Sequence, residues 1–240
     1  MPVRALPHPS IIIGSISTIM KNSNFRLIQS SPSRDNMRLR TLAIELSKLE
    51  GLTAQKLEFE QYQTGGDLAA RWLSDILAFD DISDDCRVAD LGSGNGILGI
   101  GAVLLGAKSA LLVEIDEESC SVCRRNIASL GLEEQVEVVQ LEIGRDDLEI
   151  GDSDIIISNP PWGRQTRASD RPFMEEIIST GVKAHLMHSA EATHVEKFFI
   201  GSGWGTEKYG IADFALPSAY DHHTRERGRT KAVFWRMTPP

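Results

Sequence analysis

The chain has 240 residues, 41% hydrophobic and 25% charged, a length and balance that suit one α/β domain with an extension and exclude global disorder. Its formal net charge of -9 argues against holding nucleic acid by bulk electrostatics, so such a partner would require a local basic patch. No apolar run approaches the roughly 20 residues that cross a bilayer, and three cysteines without framework spacing (Cys86, Cys120, Cys123) point to a reducing, cytoplasmic setting.

Residues 1–36 differ from the rest. Their short apolar patch is broken by Gly and Ser and lacks a small-residue cleavage site, so they read as a disordered extension or a start-site artefact rather than a signal peptide. Met37 opens a helical stretch, "MRLRTLAIELSKLEG", and residues 37–240 read as a single domain. The periodicities then predict a helix over Gly66–Ala78, a strand over Arg87–Leu91, a helix from Gly96 to Leu105 and a strand over Ala110–Glu114. A helix over Glu117–Leu130 and strands over Val136–Gln140 and Asp154–Ser158 follow. The last third holds a helix over Pro172–Thr180, a strand near Ala184–Met187, a helix over Ala192–Gly201 and strands over Tyr209–Leu216 and Thr230–Met237. Alternating strands and helices imply a mostly parallel, doubly wound sheet, whose ligands bind beyond the carboxyl ends of the strands. Cys120-x-x-Cys123 lacks a second pair at finger spacing and reads as two helix-face cysteines, so no metal site is expected.

Just after the first strand, "VADLGSGNGILGIG" turns through Gly92, Gly94 and Gly96. A dinucleotide fingerprint would need its third glycine at Ile97. An acid followed by G-x-G-x-G instead resembles the loop of S-adenosylmethionine-dependent methyltransferases, where Asp90 can address the cofactor's ammonium and Gly92, Gly94, Asn95 and Gly96 its methionyl part. About 20 residues further on, Glu114 ends the second strand at the spacing of an acid that accepts ribose hydroxyls. Asp116 could serve instead, or cap the next helix. Glu142, after the third strand, is placed to take the adenine amine.

The fourth strand runs into "SNPPWG", residues 158–163. Two prolines push the chain out of the ladder and leave a stiff loop at the sheet end. Asn159 offers a carboxamide oxygen and Pro160 a carbonyl. Two acceptors aimed at one NH₂ group draw its lone pair out of conjugation, so no strong base is needed. Pro161 stiffens the turn, and Trp162 offers a flat face on which an extruded base can stack.

With these motifs, "FEQYQTGGDLAARWL", "ADLGSGNGILGIGAVLLGA", "NPPWGRQTRASDRPFMEE" and "ALPSAYDHH" resemble the methyltransferase-like protein 5 family, which makes N6-methyladenosine in small-subunit rRNA. The resemblance runs from about Met37 to Met237. It implies the Rossmann-like seven-stranded sheet of class I methyltransferases with a late antiparallel strand, S-adenosylmethionine as cofactor, cofactor contacts from Gln61 and Thr64, and a small zinc-binding activator subunit. Gln63 replaces the family's proline, Asn95 a commoner small residue, Glu114 and Glu142 aspartates, and Trp162 a phenylalanine.

For RNA, the loop after the tetrad holds Arg164, Arg167 and Arg171, and "DHHTRERGRTK" adds Arg225, Arg227, Arg229 and Lys231, the local patch that an acidic protein requires. His185 and His188 could join it or fill the sheet end. Methylation of a protein glutamine or of DNA adenine uses the same tetrad, and a silent binding module on this fold is the non-enzymatic alternative.

Overall fold

In this computed structural model, residues 32–52, 63–163, 166–215 and 229–240 are described. Three short apolar strands form the centre: β1 (Arg87–Leu91), β2 (Ser109–Glu114) and β4 (Ile155–Ser158). Such runs, buried on both faces, are the signature of parallel strands covered by helices. With β3 (Val136–Gln140), β5 (Ala184–Ser189), β6 (Gly205–Ala215) and β7 (Arg229–Thr238) they make a seven-stranded sheet of order β3-β2-β1-β4-β5-β7-β6. β1 to β5 pair in parallel, and β7 runs antiparallel to both β5 and β6. This is the Rossmann-like sheet that the resemblance implied. In register, Leu91 lies beside Val113 on one side and Ser158 on the other, which brings the carboxyl ends of β1, β2 and β4 to one edge.

Alternation along the strands gives each sheet face its own core. Val88, Leu112, Ile155 and Ile157 pack under helices α1 (Pro32–Ser47), α2 (Gly66–Ala78) and α3 (Ile97–Leu104). Ala89, Leu91, Val113 and Ile156 face the opposite way, with Met174 and Ile177 of α5 (Arg171–Thr180) and Val195 and Phe199 of α6 (His194–Gly201). Trp72 of α2 anchors the first core: its ring is fully buried, stacks on Phe234 at 5.4 Å and donates its indole N–H to Tyr209 at 2.7 Å. Burying such a ring stabilises the fold by roughly 2–3 kcal/mol. α4 (Glu117–Leu130) starts at Asp116, whose carboxylate caps it through Ser119 N at 3.0 Å, and ends at Gly131 in the left-handed region.

The structure redraws several edges. α1 begins at Pro32 and runs through Met37 rather than starting there. β6 begins at Gly205, four residues before the expected start, because its polar opening, Gly-Thr-Glu-Lys, lies on an edge strand whose ladder with β7 needs no apolar side chains. His185 is fully buried and joins no surface patch: it bonds Tyr209 at 2.7 Å and Asp81 at 3.0 Å. Burial pushes Asp81 up, but hydrogen bonds from His185, Arg236 and Lys183 outweigh it and hold the carboxyl well below the usual range. Cys120 and Cys123 are buried on α4, donating to the carbonyls of Glu114 and Gly94. Burial raises both thiols, Cys120 to about 11. Among the described residues no helix is long and apolar enough to cross a membrane.

Candidate active site

At the carboxyl edge of the sheet lies a cavity of about 330 Å³. Thr64, Gly92, Gly94, Glu114, Glu142 and Asn159 all line it. These come from the entry to α2 and from loops after four different strands, so residues far apart in sequence converge because parallel strands end together.

The glycine loop is pinned where it leaves β1: Gly92 and Ser93 donate their N–H groups to Val113 O at 2.9 and 3.1 Å. Gly92 holds φ of 74°, and a methyl there would meet Phe173 Cε1 at 2.9 Å. Gly94 (φ 57°) has no atom within 4 Å of where a Cβ would sit. Glu114 is buried, and its two carboxylate oxygens accept from Gly94 N at 2.8 Å and Asp116 N at 3.0 Å. Burial raises this carboxyl, while those two N–H groups oppose the shift. Asp116 serves as the α4 cap instead of lining the cavity. Glu142 lies at the rim, paired with Arg145 at 2.9 Å. Asn95 lines the cavity and donates to Glu50 O at 3.1 Å, and Asn126 Nδ2 bridges the same carbonyl to Asn95 O. The glycine loop is thereby tied to the segment after α1. Gln61 lies outside the described residues.

Two members of the glycine motif sit behind the cavity rather than on it. Asp90 is fully buried and turns toward α3, where Oδ2 accepts from Gly99 N at 2.8 Å. Strand alternation sends its side chain to that face, away from an ammonium in the cavity. Oδ1 has no partner among the described residues. Burial raises the carboxyl to about 7, with the Gly99 N–H opposing and the Glu114 charge adding to the shift. Gly96 does not line the cavity; a methyl there would press on Leu112, Ile100 and Cys123 at 3.0 to 3.3 Å, so this glycine allows α3 to approach β2 and α4.

The tetrad is also partly turned inward. Asn159 is held from both ends: Nδ2 donates to Thr64 Oγ1 at 3.2 Å, and Oδ1 accepts from Trp162 Nε1 at 3.1 Å. Pro161 lines the cavity and Pro160 is buried beneath it. Trp162 is 6% exposed, stacks on His188 with ring centroids 5.9 Å apart and tilts against Phe214 at 4.7 Å. Its indole does not line the cavity, so the open stacking face expected of it is absent from this conformation. An indole is long enough to reach β5 and β6 and carries an N–H that a phenyl lacks, and both features draw it inward. Phe173, a partly buried apolar side chain on the first turn of α5, does line the cavity. Its only sequence signal was its place in the segment after the tetrad.

Of the basic residues expected to meet RNA, the side chains of Arg167, Arg171 and Lys231 are described. Arg171 pairs with Glu175 at 2.7 Å on its own helix, and Lys231 lies 3.8 Å from Asp213 across β6 and β7. Arg167 is exposed. Arg164, Arg225 and Arg227 lie outside the described residues, and only the backbone of Arg229 is described, within β7. His188 is fully buried and lies off the surface.

The buried acceptors and bare glycine backbone fit an amino-acid-and-nucleoside cofactor better than a pyrophosphate, since Glu114 and Glu142 would repel phosphate and accept hydroxyl or amine hydrogens. Comparison with known proteins finds methyltransferases. A family model described as ribosomal protein L11 methyltransferase (PrmA) matches residues 67–160. The rRNA N(6)-adenosine-methyltransferase METTL5 of Danio rerio is 31% identical over 214 residues, covering 85% of this chain and 100% of that protein. The rRNA N(6)-adenosine-methyltransferase metl-5 of Caenorhabditis elegans is 26% identical, covering 75% of this chain and 88% of its own. Among solved structures, PH1948 from Pyrococcus horikoshii, described as a candidate RNA methyltransferase, superposes with a TM-score of 0.75 at 31% identity, covering 84% of this chain and 98% of that one.

Proposed function

Because the chain belongs to the METTL5 family of rRNA N(6)-adenosine-methyltransferases, we propose that it methylates the N6 amine of an adenosine in structured RNA, most directly small-subunit rRNA, with S-adenosylmethionine as donor. The observation that carries this reading is Asn159: its carboxamide stands at the cavity, fixed by Thr64 and Trp162, beside the glycine loop.

Bound in the cavity, S-adenosylmethionine supplies an electrophilic methyl group. Glu114 and Glu142 are acceptors for its ribose hydroxyls and adenine amine, with Thr64, Gly92, Gly94 and Asn95 lining the space for the rest. Asn159 Oδ1 keeps a lone pair beyond the one that Trp162 occupies, and this accepts an N–H of the incoming adenine. Accepting there draws the amine's lone pair out of conjugation with the ring. Transfer would join the amine nitrogen to the methyl carbon as the carbon–sulfur bond breaks and S-adenosylhomocysteine departs, with one amine proton passing to solvent. Thr64 and Trp162 act before that step, by removing the rotational freedom of the carboxamide. Arg167 and the other basic residues of the two loops contribute phosphate contacts. A small zinc-binding activator subunit and a cytoplasmic setting belong to the same reading; three free buried thiols suit a reducing compartment.

The test is tritium transfer from labelled S-adenosylmethionine into unmodified small-subunit rRNA, total protein and DNA, with Asn159→Ala in parallel. Label in rRNA adenine that the variant loses is the expected result. Label in protein glutamine or DNA would overturn the substrate, and the absence of label with the chain co-expressed with such a subunit would overturn the activity.

A further inference from the structure

Beside Trp162, three donor atoms converge. Asp170 precedes α5, His188 lies near the end of β5 and His194 opens α6. Asp170 Oδ2 lies 3.0 Å from His188 Nε2 and in direct contact with His194 Nε2, and the three ligand atoms all fall within 4.8 Å of one another. Asp170 and His188 are buried, while the His194 side chain is 53% exposed. From this geometry we infer a binding site for one divalent transition-metal cation, zinc in the first place, on Asp170, His188 and His194.

Several features of the site favour ligation over a chance meeting of polar groups. An aspartate at a helix N-cap ordinarily bonds its own first-turn N–H groups, yet Asp170 makes no side-chain cap bond and gives one oxygen to two imidazoles. The two rings stand nearly perpendicular, with centroids 5.4 Å apart, an arrangement that lets both Nε2 lone pairs point to one centre without ring clash.

The donor set selects the ion. Two imidazole nitrogens and one carboxylate oxygen suit zinc, at about 2.0–2.2 Å per bond in a tetrahedron completed by water, and suit magnesium or calcium poorly. The exposed His194 gives an entry path. No Cys thiol takes part, so the site is separate from the Cys120 and Cys123 pair.

The site has a structural task to perform. His188 carries the stacked face of Trp162, and Trp162 holds the Asn159 carboxamide. Asp170 closes the loop that follows the tetrad, and its neighbours Ser169, Pro172 and Phe173 line the cavity. A cation there would fasten the starts of α5 and α6 to β5 and stiffen the floor beneath Trp162. It supports the site without touching substrate, and the inference does not depend on methyl transfer.

The experiment uses the full chain purified without a polyhistidine tag, loaded with zinc chloride, passed through gel filtration and assayed for metal by mass spectrometry. A parallel titration uses cobalt(II). About one equivalent of zinc should be retained, and cobalt should give visible ligand-field bands of a four-coordinate site without sulfur charge transfer. His194→Ala, at a half-exposed position, should keep its circular dichroism and bind at least about 100-fold more weakly. If that variant fails to fold, the wild-type cobalt spectrum decides by itself. Retention below about a tenth of an equivalent, a thiolate-type spectrum, or equal binding by folded His194→Ala would overturn the site and leave a hydrogen-bonded latch.

Discussion

Trp162 donates its indole N–H to Asn159 Oδ1 at 3.1 Å, so the ring expected to hold the substrate base instead holds the carboxamide that would grip its amine. Trp162→Phe keeps an aromatic ring against His188 and Phe214 but removes that donor. The loss of one such bond is worth about 1 kcal/mol, which predicts a roughly 3- to 10-fold fall in kcat. Cofactor affinity should stay unchanged, because the indole does not line the cavity. Steady-state methylation and calorimetric cofactor titration of the two proteins check this.

The central strand Arg87–Leu91 was legible as a short apolar run, the helix Glu117–Leu130 from the capping acid and glycine that bracket it, and the edge strand Val136–Gln140 from its valines; all three match residue for residue. The cavity side was legible where backbone chemistry sets it, at Gly92, Gly94 and Glu114. Side-chain direction was not. Asp90 stands two residues before the cavity-lining Gly92, yet its carboxylate turns under α3 to meet Gly99 N. Nor does spacing announce that Thr64 meets Asn159, 95 positions later. The Asp170, His188 and His194 cluster is equally silent in sequence, since three elements must pack before its donors meet.

Thr64→Val tests whether the Thr64 hydroxyl acts through Asn159. The substitution keeps the shape but leaves Asn159 Nδ2 without its acceptor. A carboxamide free to rotate samples orientations in which nitrogen faces the amine, so kcat should fall by about 10-fold while the cofactor KM stays within roughly twofold. A rise confined to the cofactor KM would instead assign the hydroxyl to direct cofactor contact.

Asp90 makes stability depend on pH. Folded, it keeps its proton up to about pH 7, whereas the unfolded chain releases it near the ordinary value of about 3.9. Within that window the folded state binds more protons, so the Asp90 contribution to stability falls as pH rises and levels off above the folded value. Asp90→Asn is neutral throughout, and its carboxamide oxygen can still accept the Gly99 N–H. Any fixed cost of burying the new NH₂ group is the same at every pH. The variant should therefore gain on the wild type by an amount on the order of 3 kcal/mol between pH 4 and pH 8. Denaturant melts at several pH values measure it, and parallel curves would mean that Asp90 is already ionised at low pH.

Arg167 and Lys231 separate the contributions of a lone and a paired cation to RNA binding. Arg167 is exposed in the loop after the tetrad and has no carboxylate partner among the described residues, whereas Lys231 sits 3.8 Å from Asp213. A cation that neutralises a phosphate releases a counterion, and log K against log salt then loses about one unit of slope when the cation is removed. Lys231 must first give up part of its attraction to Asp213, which lessens its net gain from a phosphate. Arg167→Ala should therefore weaken binding to rRNA fragments and flatten the salt slope by about one unit, and Lys231→Ala by clearly less. Equal slopes for wild type and Arg167→Ala would take this loop out of the interface, while a larger effect from Lys231 would move the RNA toward the β6 and β7 edge.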